Sequence, residues 1–109
     1  MTKVVVNPGI CGFTSIIIVT KLARERFSIE ISTDCKHVSK LAESLAEVNP
    51  FEIMKSMKEC GIFQEASKHL SHITCPVPVA ILKALEVEAG LALPRDVCIH
   101  FEDSKENFN

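Results

Sequence analysis

Phe27-Ser28-Ile29-Glu30-Ile31-Ser32 alternates apolar and polar side chains, and at Thr33-Asp34-Cys35 the alternation stops. From there Val38, Leu41, Ala42, Leu45 and Val48 recur at helical spacing, with Lys36, Lys40, Glu43 and Glu47 elsewhere on the wheel. A period of two places Phe27, Ile29 and Ile31 on one face of a half-buried strand, whereas a period near 3.6 marks an amphipathic helix. Asp34 is the expected N-cap of that helix, which puts Cys35 in its first turn. A cysteine therefore lies where a strand gives way to a helix.

Upstream, Lys3-Val4-Val5-Val6 is a short β-branched run stopped by the turn residues Asn7-Pro8-Gly9. Cys11-Gly12 leads into Phe13 to Leu22, whose continuously apolar middle predicts a central strand buried on both faces. Ala23-Arg24-Glu25 reverses the chain, so this strand and the one from Phe27 pair antiparallel. Downstream, Asn49-Pro50 ends the first helix. Helical pieces are expected over Phe51 to Lys58, ending near Cys60-Gly61, and over Ile62 to His69. In Cys75-Pro76-Val77-Pro78, Pro76 suits the first helical position, because its φ is already helical and its missing N–H has no partner there. That makes Cys75 the expected N-cap, with Gly90 closing the helix. Val97, Ile99 and Phe101 then alternate as a final strand, with Cys98 and His100 on its other face and a polar tail behind them. The fold class predicted is α+β: a small antiparallel sheet of three strands, then helices, then one C-terminal strand.

The 109 residues suffice for a single domain, 1–109, with 47% hydrophobic side chains to fill its core. The net charge of −2 comes from 12 basic and 14 acidic residues without a basic cluster. That argues against nucleic acid and anionic membranes as partners. Ile16-Ile17-Ile18-Val19, the longest aliphatic run, is far below membrane-spanning length, and a cytoplasmic location is expected. Five cysteines in a reducing compartment suit metal, redox or packing roles better than disulfides.

Three of the five, Cys11, Cys35 and Cys75, stand at junctions between elements and are expected to gather at one end of the sheet. A thiol at a helix start tends toward a lowered pKa, and the thiolate is the form that binds metals and attacks electrophiles. His72, three residues before Cys75, is a candidate ligand or a base that keeps the thiol ionised; it also reads as a surface histidine. Asp34 is an oxygen ligand if it is not simply the cap, and His37 is an alternative ligand. Cys60, before a helix-terminating glycine, reads as structural. No Cys-x-x-Cys pair exists, so any metal site must be assembled by the fold.

In the order and placement of Cys11-Gly12, Cys35 and Cys75, the chain resembles the iron–sulfur cluster assembly scaffolds, the IscU family and the N-terminal domain of NifU. Phe13 and Thr74 stand where that family has an aspartate and a histidine. The resemblance implies a SufE/NifU-like fold and binding of an iron–sulfur cluster or zinc by Cys11, Cys35 and Cys75. It also implies a cysteine desulfurase or an iron–sulfur acceptor protein as partner. Cys75-Pro76-Val77-Pro78 by itself is similar to the Cys-Pro-x-Pro motif of TusA-like sulfur carriers, which implies a persulfide on Cys75. Three readings follow: a thiolate metal-binding protein, a persulfide carrier, and a non-catalytic structural or interaction domain with buried cysteines. A binding or carrier role is favoured over an enzymatic one.

Overall fold

The strand with the longest aliphatic run lies inside the sheet. In the computed structural model, which describes residues 1–103, β1 (Thr2–Val6), β2 (Ser15–Ala23), β3 (Arg26–Thr33) and β4 (Glu47–Val48) form one sheet in the order β1-β2-β3-β4. Every neighbouring pair is antiparallel, with Val6 opposite Ser15 and Ser15 opposite Thr33. The helices are α1 (Lys36–Ser44), α2 (Gly61–His69) and α3 (Val77–Glu88), with a 3-10 turn at Pro50–Met54. α3 packs across β1 and β2, and α1 packs on β3.

Alternation along β2 divides its side chains between two environments. Ser15, Ile17 and Val19 are buried, as are Phe27 and Ile29 beside them on β3. They meet Val38 and Leu41 of α1, Ile62 of α2, and Ile81, Ala84 and Leu85 of α3 in one core. Ile16 and Ile18 point the other way and are only half-buried, and Val5 beside Ile16 is 62% exposed. The expectation of a strand buried on both faces is therefore corrected. The helices cover one face, and an aliphatic stripe remains on the other.

The fourth strand is not the expected one. α1 stops at Ser44 rather than continuing to Val48, and the Leu45 N–H closes it on Ala42 O at 3.2 Å. The chain then pairs Glu47 and Val48 with Ser28 and Phe27, and the Ile29 N–H reaches Ala46 O at 2.9 Å. Val48 still packs against the core, so the same apolar positions are satisfied by a turn and a strand instead of two more helical residues. The predicted C-terminal strand, by contrast, does not form. Residues 91–103 make neither helix nor strand, and Ile99 and Phe101 are 84% and 93% exposed. Alternation supplies a face but no neighbour, and neither sheet edge takes this segment up.

The helix expected over Phe51 to Lys58 is only the short 3-10 turn, capped by Asn49 Oδ1 accepting from the Phe51 N–H at 2.9 Å. Gly61 opens α2 instead of ending a helix, and its N–H donates to Glu52 Oε1 at 3.0 Å. Gly90 does close α3. With φ +77° it donates to Val87 O at 3.0 Å, and Leu91 donates to Glu86 O at 2.9 Å. These are the two bonds of a Schellman motif, which only a left-handed residue allows at low cost.

Candidate functional site

Hydrogen bonding to Glu88 fixes the direction of α3 against the sheet. Glu88, in its last turn, accepts from Thr2 Oγ1 at 2.7 Å and from the Lys21 N–H at 2.9 Å, and it pairs with the Met1 amine at 3.1 Å. Thr2 begins β1 and Lys21 is near the end of β2, so the C-terminal end of α3 lies at that edge of the molecule. Twelve helical residues rise about 18 Å, roughly the span of these strands. The N-terminal end of α3, with Cys75 just before it, therefore lies at the opposite end, where Val6, Ser15 and Thr33 stand side by side.

The other two cysteines belong to that same end. Cys11 is exposed in the turn between β1 and β2, which the Gly12 N–H closes on Gly9 O at 3.0 Å. Cys35 is half-buried two residues beyond Thr33. It occupies the N-cap of α1 itself, so the expected assignment of Asp34 to that place is corrected by one residue. No side chain caps α1. The Cys35 N–H instead donates to Thr33 Oγ1 at 3.1 Å, and Ser15 Oγ donates to the same oxygen at 3.0 Å. Ser15 is the one buried polar residue of the described core, and through Thr33 it ties the start of β2 to the backbone of Cys35. Both hydroxyls escaped the sequence reading. The available signal was a lone serine at the head of an aliphatic strand.

At Cys75 the helix starts one residue later than expected. Pro76 is the N-cap, although its φ of −79° and ψ of −6° are already helical and its carbonyl accepts from the Ala80 N–H at 3.0 Å. The Val77 N–H bonds the Cys75 sulfur, as a helix start should provide. The expectation of a lowered pKa nevertheless fails. Burial pushes the Cys75 thiol up, the Val77 N–H pulls it down, and the charges of Cys35 and Cys11 push it up again, leaving it above its ordinary value. Desolvation and like charge together outweigh the one N–H bond. The same balance puts Cys11 and Cys35 within electrostatic reach of Cys75.

They are neighbours without converging on a point. Among the described residues no three His, Cys, Asp or Glu side chains form a ready-made group for a metal ion. The chemistry of the set, three thiols, suits zinc or an iron–sulfur cluster, and Cys11 is the exposed member of it. Asp34 and His72 are both exposed beside the site. The backbone carbonyl of His72 accepts from the Cys75 N–H at 3.3 Å, while its imidazole is not among the groups that shift Cys75. His37 is exposed in the first turn of α1. Ile10, Phe13 and Ile73 stand exposed on the loops that carry Cys11 and Cys75.

The remaining cysteines lie outside this group. Cys60 is buried at the N-cap of α2, consistent with a packing role, and Cys98 is exposed in the C-terminal segment. Two shallow hollows, one lined by Glu52, Cys60 and Phe63 and one by Phe27, Phe51 and Leu91, involve none of the three clustered cysteines. Among the described residues no helix is long and apolar enough to cross a membrane. Comparison with known proteins finds no matching curated protein and no matching solved structure. A family of unknown function, DUF6951, matches residues 2–101, nearly the whole chain, and the protein belongs to that family.

Proposed function

We propose that the protein binds a thiophilic metal, zinc or an iron–sulfur cluster, through Cys11, Cys35 and Cys75. What carries this reading is that the β1–β2 turn with Cys11, the end of β3 with Cys35 and the start of α3 with Cys75 share one end of the sheet, close enough for Cys11 and Cys35 to act on the Cys75 thiol. Like charges held together resist ionisation, and a cation among them removes that resistance. His72 or Asp34, both accessible beside the cysteines, would complete a fourth position. The resemblance to the scaffolds of the IscU and NifU type agrees with this reading and with a SufE/NifU-like fold. A cysteine desulfurase or an iron–sulfur acceptor protein is the matching kind of partner, and the exposed Ile10, Phe13 and Ile73 give it apolar surface to rest on. The persulfide-carrier reading needs Cys75 ionised on its own, and its raised pKa counts against that.

The test is metal analysis with an absorption spectrum on anaerobically purified protein, followed by zinc competition against a chromophoric chelator. Cys11→Ser, Cys35→Ser and Cys75→Ser should each weaken retention by a comparable factor, while Cys98→Ser leaves it unchanged. If Cys11→Ser and Cys35→Ser retain metal like the parent protein, a shared site is ruled out. Persulfide loading lost only in Cys75→Ser would then favour the carrier.

A further inference from the structure

Among the described residues, the C-terminal segment and the first strand each lack a neighbour that the other could supply. Residues 97–101, Val97-Cys98-Ile99-His100-Phe101, alternate like a strand, and their three large apolar side chains are all exposed. β1 is also five residues long and stands at the edge of the sheet, with β2 on one side and an open row of N–H and C=O groups on the other. β4, the other edge, is two residues long and too short to hold such a segment. Paired over its full length, the segment sets Val97, Ile99 and Phe101 beside Val6, Val4 and Thr2, on the helix-covered face where Val4 is still only half-buried. The two therefore match in length, hydrogen-bonding need and apolar character.

We propose that two copies of the chain associate by reciprocal strand addition, with residues 97–101 of each pairing antiparallel to the β1 edge of the other. Each four-stranded sheet then gains a fifth strand, and the exchange is two-fold symmetric and closed. A chain's own edge is less accessible to its own segment. α3 ends beside Thr2, where Glu88 bonds the Thr2 hydroxyl, so the segment leaves at the beginning of β1. Antiparallel pairing with that strand would first require residues 91–96 to run back along its whole length. Those residues include Pro94 and a turn in which Arg95 N–H meets Leu93 O at 2.9 Å. A second copy can approach from either end.

The proposal is tested on the full chain, with chelator present so that metal cannot bridge copies, by sedimentation velocity over a range of concentrations and by amide hydrogen exchange. The parent protein should be dimeric, with the amides of both β1 and residues 97–101 protected. Ile99→Pro removes a ladder N–H and disfavours pairing in a segment the monomer does not pack. It should raise the dimer dissociation constant by at least ~100-fold, because both symmetric pairings are lost. Exchange protection at β1's outer row should fall with it, while the melting temperature measured at low concentration stays the same. Three results would each overturn the proposal. They are a parent protein that stays monomeric throughout, a dimer indifferent to Ile99→Pro, and a monomer whose 97–101 amides are protected, which would assign the segment to its own edge.

Discussion

Ser15 Oγ donates to Thr33 Oγ1 at 3.0 Å across the β2–β3 pair, and the same oxygen accepts the Cys35 N–H at 3.1 Å. One side-chain hydroxyl pair thus fixes the exit of β3 and the backbone that carries Cys35. Without it, the N-cap of α1 has no side-chain bond to hold it in place.

Ser15→Ala should lower stability by about 1 kcal/mol, seen as a melting temperature lower by about 4 °C, since one buried hydrogen bond is lost. Thr33→Val removes the acceptor as well and strands the Cys35 N–H, so about 2 kcal/mol is expected. Ser39→Ala, at an exposed position of α1, is the control and should change stability by less than about 0.5 kcal/mol. Equal melting curves for all three variants would remove the hydroxyl pair from the account of the site.

Alkylation of metal-free protein, followed residue by residue by mass spectrometry across pH, reads the ionisation of Cys75 directly. Its rate should rise with a midpoint above the ordinary thiol value of about 8.5, because burial and the Cys35 and Cys11 charges hold the proton on. In the double variant Cys11→Ser/Cys35→Ser the midpoint should move down, since the like charges are gone while burial stays. A midpoint that does not move would mean the three thiols do not sense one another.

Glu88 predicts an acid-sensitive contact. Burial pushes its carboxyl up, but the Lys21 N–H, the Thr2 hydroxyl and the Met1 amine together outweigh that and leave it below the usual range. A carboxyl depressed in the folded state stabilises above its unfolded pKa of about 4.3, and the contribution is lost as pH falls through the folded value. The parent protein should therefore lose stability in that window faster than Glu88→Gln, and the two should differ most at neutral pH. Urea titrations at a series of pH values check this, and parallel pH profiles for both proteins would contradict it.

Gly90→Ala should cost about 1–2 kcal/mol, the ordinary penalty for an L side chain at a left-handed position. No neighbouring atom lies within 4 Å of where its Cβ would be, so crowding adds nothing. Gly90→Asn, which tolerates this conformation better, should fall between the two in thermal denaturation.

Much of this geometry was readable from residue order. The period change at Thr33–Cys35, the helix ending at His69 and the glycine closing α3 are local signals, set within a turn or two of chain. The misreadings share a different cause. Leu45 and Val48 stay in helical phase, yet the edge of β3 offered Glu47 and Val48 backbone partners that no periodicity reveals. Val97, Ile99 and Phe101 alternate well and find no sheet position within the chain. At Cys75 the N–H groups of the helix start were foreseeable from Pro76, but the burial and the two thiols brought from distant junctions were not. Those depend on the direction in which α3 lies, and Glu88 settles that direction from the helix's far end.

A thiol held above its ordinary pKa by burial and like charge, as Cys75 is, takes up a cation only by surrendering its proton. If the proposed site holds metal, capture is an exchange reaction, and its strength follows acidity about tenfold per pH unit for each proton released. Mild acidification would discharge such a site and mild alkalinity would load it, without any change in metal concentration. In such a site protons would set the occupancy as directly as the metal does.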